Sequence, residues 1–258
     1  MLYSETRLRQ AINNHEFMPF YQPIINGRDG TIAGCEVLCR WLTPEYRLID
    51  ARFFIRDIAL YGLMETMTMA LVDKIILDIN KLAHHTRHDF LLTLNVNLSL
   101  ITSPGFESYL VVLDQLFAKF GLTLIFEITE HEDIRLFQKA QETFRKLGKY
   151  GIKFAVDDFG TGYAAEDLLN ISQAQFIKLD RQFIADLECP ASTKFIEQTL
   201  CMSRRRGTQV IAEGVENWRQ ECHLKKMGID YQQGYFHCHP VPFAQFNEYL
   251  SCSDHTFC

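Results

Sequence analysis

Short apolar, β-branched runs recur along this chain with helix-length segments between them, and no other feature constrains its fold as strongly. The runs are LLTLNVNLS (91–99), LTLIFEIT (122–129), IKFAVDDFG (152–160), AQFIKLD (174–180) and TQVIAEGVE (208–216). Each is near-continuously hydrophobic instead of alternating, the mark of strands buried on both faces of a parallel sheet. The segments between them carry apolar residues at helical spacing. DIRLFQKAQETFRKLGKYG ends at Gly151, and PASTKFIEQTLCMSRRRG ends at Gly207, glycine being the usual helix terminator. With FYQPIIN, TIAGCEVLCRW and YQQGYFH the chain offers at least seven strands and no Pro/Ser-rich linker. The pattern favours a closed β/α barrel over an open doubly wound sheet.

Composition narrows the class. A chain of 258 residues with 47% apolar content can bury one large core as a single domain, 1–258. No apolar segment reaches the ~18 residues of a membrane span, and the N-terminus lacks a signal-peptide pattern, so a cytoplasmic protein is expected. None of the eight cysteines forms a CxxC pair, which fits reduced thiols. The net charge of −6 argues against DNA or RNA as a partner, since phosphate backbones call for clustered Lys and Arg. The one basic run, SRRRG at 203–207, reads as a solvated helix end.

Where the strands end carries the chemistry. Glu36, Asn97, Glu127, Asp157 with Asp158, Lys178 with Asp180, Glu213 and Gln233 lie within or at the end of expected strands. In a parallel barrel these ends share the face on which such enzymes build active sites. A single acid after a strand is commonly a helix cap. Five or more carboxylates around one mouth, interleaved with Asn, Lys and Gln, are not explained by capping and repel one another, which calls for cations. Oxygen donors with one amide suit Mg²⁺ or Mn²⁺, and paired ions serve displacement at phosphorus.

Seven motifs, in order, carry a resemblance: CEVLCRW, NVNLS, FEITE, VDDFGTGYA, IKLD, IAEGVE and QGYFHCHPVP. Together they resemble the EAL family of cyclic-di-GMP phosphodiesterases, and the motif-bearing region covers about 17–243. The resemblance implies a modified TIM-type (β/α)8 barrel with one antiparallel strand. It implies two-metal hydrolysis of cyclic di-GMP to linear pGpG with Mg²⁺ or Mn²⁺, with Ca²⁺ inhibitory, and a homodimer. By the same resemblance Glu36, Asn97, Glu127 and Asp157 hold one ion, and Asp157 bridges to a second held by Asp158 and Glu213. Lys178 orients or helps deprotonate the attacking water with support from Asp180. Whether Glu213 is chiefly ligand or general base stays open. Glu216 and Gln233 complete the site, Gln22, Leu38 and Arg40 contact substrate, and Glu130 anchors the loop after the paired aspartates. Two departures from the pattern, Val37 in the name-giving motif and GYAAEDL after the aspartates, remove no ligand.

Other features read as structural: HHTRH (84–88) as a surface loop, HCH (237–239) as rim or packing, Phe53, Phe54 and Tyr61 as core, and CSDHTFC as a frayed tail. The alternative function is a non-catalytic cyclic-di-GMP receptor or protein-binding module on the same barrel. An unrelated barrel enzyme acting on a sugar phosphate has no need of Asn97, Lys178 and Gln233 together.

Overall fold

The computed structural model describes residues 2–82, 90–129, 134–162 and 165–253, which fall into two compact units. One comprises Met1–Tyr21, Val37–Thr86 and Pro240–Cys258; the other comprises Gln22–Glu36 and Arg87–His239. In chain order the elements begin with α1 (Glu5–Asn13), β1 (Phe17–Asn26), β2 (Ile32–Leu42), β3 (Leu48–Asp50), a 3₁₀ turn (Ala51–Phe53), α2 (Ile55–Leu60) and α3 (Met64–Leu82). They continue with β4 (Phe90–Asn95), α4 (Leu98–Ile101), α5 (Phe106–Ala118), β5 (Leu122–Thr129), α6 (Ile134–Lys149), β6 (Lys153–Phe159) and α7 (Ala165–Ser172). The last are β7 (Phe176–Leu179), α8 (Arg181–Ala185), α9 (Pro190–Arg206), β8 (Gln209–Ala212), α10 (Trp218–Met227), β9 (Tyr231–Gln232), β10 (Val241–Pro242) and α11 (Phe243–Ser253).

The larger unit is the barrel. Its neighbours run β1-β9-β8-β7-β6-β5-β4-β2, and the β1–β2 pairing closes an eight-strand ring. From β4 to β9 every pairing is parallel, each strand returning through a helix, whereas β1 meets β9 antiparallel at Ile25↔Gln232 and Asn26↔Tyr231. The (β/α)8 expectation with one reversed strand is met, and β1 is that strand. A layer of apolar side chains fills the ring: Leu91, Ile125, Ala155, Phe176 and Ile211, with Tyr231 against them. Each comes from a different strand, as barrel interiors require. The helix ends follow local chemistry. Pro190 opens α9, and Gly207 closes it at φ 71°, a left-handed angle that glycine reaches without steric cost.

The smaller unit packs α1, α2 and α3 around Trp41. Leu8, Ala11, Ile12, Phe17, Phe54, Ile58, Leu63 and Met67 form its core. Tyr3 and Phe17 lie with ring centroids 4.7 and 5.5 Å from Trp41. Its indole Nε1 donates to Glu16 Oε2 at 2.7 Å, and Arg7 Nη2 meets the same oxygen at 2.5 Å. Burial raises the Glu16 pKa, but hydrogen bonds from Arg7, Trp41 and Asn14 outweigh that and hold it below the ordinary carboxylate value. Of the expected core aromatics Phe54 is fully buried and Tyr61 partly so, but Phe53 is 51% exposed. It belongs to the 3₁₀ turn instead of a helix face, so helical spacing misassigned it.

The described cysteines, Cys35, Cys39, Cys189, Cys201, Cys222, Cys238 and Cys252, are free thiols. Arg204–Arg206 occupy the exposed last turn of α9. No helix among the described residues is long and apolar enough to cross a membrane. His84, His88, Glu130 and the tail beyond residue 253 lie outside the described residues, as do Tyr163 and Ala164 of the loop after the aspartates.

Candidate active site

Side chains on a strand repeat their direction every second residue. Two positions beyond the apolar layer the same inward faces therefore carry Thr93, Glu127, Asp157, Lys178, Glu213 and Gln233. The sequence thus stacks a polar tier on an apolar one, toward the carboxyl ends of the strands.

Lys178 stands at the centre of that tier, 1% exposed. Its Nζ lies 2.6 Å from Glu213 Oε1, 2.9 Å from Glu127 Oε2, 3.2 Å from Asp157 Oδ1 and 3.3 Å from Glu36 Oε2. One ammonium cannot neutralise four ionised carboxylates at this range, so their proton affinities diverge. Burial, with Lys178 opposing it and Asp157 and Glu36 adding repulsion, lifts Glu213 to about 8. Burial and the neighbouring Glu36 push Glu127 well up; burial also raises Asp157. Glu36 moves the other way. Its burial is overcome by Lys178 and by hydrogen bonds, chiefly from Gln233, which keep it ionised. The same carboxylates drive Lys178 well above its ordinary value despite burial, so its charge is permanent.

The paired aspartates are reached by an irregularity. Strict alternation sends neighbouring residues to opposite faces, and Asp157 takes the inner one. The β6–β7 register shifts between Val156 and Phe159, and Asp158 adopts φ 55°, a left-handed angle uncommon outside glycine. The shift brings Asp158 back beside its neighbour, so that carboxylate oxygens of Asp157, Asp158 and Glu213 lie within 4.8 Å of one another. Gly160, at φ 98°, lets the strand end pass the stacked rings of Phe183 and Phe195; a Cβ there meets Phe195 Cζ at 2.4 Å. Just after β9, Gly234 lies against Val215, whose carbonyl oxygen is 2.1 Å from where a Cβ would stand. That close approach seats Gln233.

The expected residues do not all converge on the lysine. Glu36 receives Gln233 Nε2 at 2.6 Å on Oε2 and Asn95 Nδ2 at 3.0 Å on Oε1. Gln233 Nε2 also donates to Gln22 Oε1 at 3.0 Å, and Gln22 Nε2 to the Cys238 carbonyl at 3.1 Å. Asn97 caps α4, its Oδ1 accepting from Leu100 N at 2.9 Å and Ser99 Oγ at 3.0 Å. Asp180 caps α8 through Gln182 N at 2.9 Å, and Glu216 is exposed. Leu38 is half-buried on β2; Arg40, also on β2, pairs with Asp50 at 3.3 Å. Asn95, which is not among the expected site residues, stands four residues beyond Leu91 on the inner face of β4.

The donor set fits divalent cations. Every candidate ligand is an oxygen, as hard ions prefer. Glu127 Oε1 is buried without a hydrogen-bond partner, a costly state that a cation relieves. Among the described residues Asp157, Asp158 and Glu213 are the one set of three or more acidic, His or Cys side chains whose ligand atoms all lie within 4.8 Å of one another; His237, Cys238 and His239 form no such set.

A β/α barrel whose mouth gathers carboxylates around a buried lysine defines a class of acid-lined barrel proteins suited to hard cations. The EAL domain model matches residues 5–240, and the chain belongs to the EAL domain family. It is 34% identical over 240 residues to the "Probable cyclic di-GMP phosphodiesterase PdeG" of Escherichia coli K12, covering 93% of this chain and 47% of that protein. It is 32% identical over 237 residues to the "Cyclic di-GMP phosphodiesterase PdeL" of the same organism, covering 92% and 66%. The chain thus spans about half to two thirds of the length of these relatives. Among solved structures, the EAL enzyme Bd1971 in its cAMP- and cyclic-di-GMP-bound form superposes with a TM-score of 0.85 at 27% identity, covering 95% of this chain and 68% of that one. The PaMucR phosphodiesterase in complex with c-di-GMP gives 0.82 at 25% identity, covering 93% and 98%.

Proposed function

We propose that this chain is a divalent-metal-dependent phosphodiesterase that hydrolyses cyclic di-GMP to linear pGpG. The observation that carries the reading is the convergence of Glu36, Glu127, Asp157 and Glu213 on one lysine at the mouth of a barrel whose relatives are named for this substrate. Glu36, Asn97, Glu127 and Asp157 would hold one Mg²⁺ or Mn²⁺, and Asp157, Asp158 and Glu213 a second. Such ions supply charge stabilisation at the phosphoryl oxygens.

The protein's own groups do the remaining work. Lys178, charged at every working pH, donates hydrogen bonds toward the attacking water and the charge that develops as it adds. Glu213, lifted to about 8 by burial and lying 2.6 Å from Lys178, would serve as a ligand or as the base that takes that water's proton. Gln233 and Gln22 keep Glu36 in place. By the resemblance Leu38 and Arg40 contact the nucleotide, the guanidinium suiting a phosphate. The same resemblance implies a homodimer.

The test is direct. The purified chain incubated with cyclic di-GMP and Mg²⁺ should yield pGpG on chromatography, and EDTA should abolish the product. Glu36→Ala should lower turnover by orders of magnitude while leaving the circular dichroism spectrum unchanged, since it removes a ligand and little core volume. A folded chain that gives no pGpG with either ion overturns the catalytic reading, and calorimetric binding of cyclic di-GMP would then favour the receptor alternative.

A further inference from the structure

Leu91, Thr93 and Asn95 alternate along β4 and share its inner face. Leu91 lies in the apolar layer, Thr93 is fully buried, and Asn95 reaches the solvent at the mouth. Asparagine is disfavoured in strands, and the adjacent helix does not use this one, because Asn97 caps α4. The Asn95 side chain instead gives its Nδ2 to Glu36 Oε1 at 3.0 Å.

Glu36 is thereby gripped at both oxygens by amides. The grip on Oε2 is built in: Gln233 is tied to Gln22, which is anchored on the Cys238 carbonyl. The grip on Oε1 comes from Asn95. Rotation about the last torsion of a glutamate is soft, so a carboxylate held at one oxygen still swings its plane about that contact. A second donor stops it.

We propose that Asn95 is a positioning residue that fixes the plane of the Glu36 carboxylate toward the cation it holds. The proposal rests on the metal-dependent reading above. Groups that orient a ligand typically set metal affinity or activity by 10- to 100-fold, and Asn95, being exposed, belongs at the low end.

Two variants test it. Asn95→Leu keeps the side-chain shape and removes the donor; Asn95→Gln keeps the donor on a longer arm. Mn²⁺ binding is measured by calorimetry on the nucleotide-free protein, and kcat and KM are measured separately with cyclic di-GMP. In Asn95→Leu, Mn²⁺ affinity should fall about tenfold and kcat comparably. KM should move less, and the thermal midpoint should hold. Asn95→Gln should recover part of both losses. Unchanged Mn²⁺ affinity in Asn95→Leu overturns the proposal, as does a Gln variant no better than Leu. If the unaltered chain binds Mn²⁺ but does not cleave cyclic di-GMP, the proposed function fails while the Mn²⁺ comparison still decides this one; if it binds no Mn²⁺, both fall.

Discussion

Replacing Lys178 by Met removes the one ammonium among four carboxylates that stand 2.6 to 3.3 Å from it. Methionine fills nearly the same volume, so cavity formation contributes little and the effect is electrostatic. Removing one partner from a buried ion pair costs about 3–5 kcal/mol, because the partner left behind stays charged and desolvated. Here several partners are left, but they can escape by taking up protons. The cost therefore depends on pH. Glu213 is lifted to about 8 in the folded chain against about 4.3 unfolded. A group whose folded value is raised adds stability fully present below its unfolded value and lost as pH rises through the folded one. In Lys178→Met that window extends higher still, since the charge opposing the shift is gone. Urea unfolding in EDTA should show a loss of about 3–5 kcal/mol at pH 8 and a smaller loss at pH 5. Saturating Mn²⁺ should return much of it by binding only the folded chain. Equal urea midpoints for the variant and the unaltered protein at pH 8 in EDTA would refute the reasoning, since the carboxylates would then not be repelling one another.

Three other expectations follow from separate features. Ca²⁺ should inhibit turnover supported by Mg²⁺, because it takes longer bonds and more ligands; a rate with Ca²⁺ equal to that with Mg²⁺ would count against a site built for smaller ions. Gly160→Ala should destabilise by about 2–4 kcal/mol, combining a left-handed φ of 98° with a Cβ only 2.4 Å from Phe195 Cζ; a thermal midpoint within about a degree of the unaltered protein would show that the loop yields freely. Glu16→Gln should cost about 1.5–3 kcal/mol at pH 7, through the loss of charge-assisted bonds to Arg7 and Trp41. Because Glu16 is held below its unfolded value, its contribution is present above about pH 4.3 and is lost as pH falls through the folded value, so the two proteins should converge in acid.

How much of this was legible in the sequence depends on whether local rules or long-range register decided the outcome. The strands from LLTLNVNLS to TQVIAEGVE were legible because burial on both faces leaves unbroken apolar runs. Glu127, Asp157, Lys178 and Glu213 were legible as polar residues within or at the ends of those runs, whereas their place in one inward tier follows from the observed strands. The direction of Asp158 was not legible, since alternation points it outward and only a register shift against β7 returns it. Asn97 and Asp180 were read for their chemistry, and in the fold each also caps a helix, its side-chain oxygen accepting from Leu100 N and Gln182 N respectively. Nor does local pattern show that Gln233 bridges Gln22 and Glu36, since that contact joins residues far apart in the sequence.

If the carboxylates around Lys178 are gathered to hold divalent cations, anomalous scattering from crystals of the chain grown with Mn²⁺ will locate the ions among them. Peaks are expected against Glu36, Glu127 and Asp157 and against Asp158 and Glu213, with Asn97 released from its cap toward the first. Crystals saturated with Mn²⁺ that show no peak at the barrel mouth, with Lys178 still within hydrogen-bond distance of all four carboxylates, would contradict that role for the carboxylates.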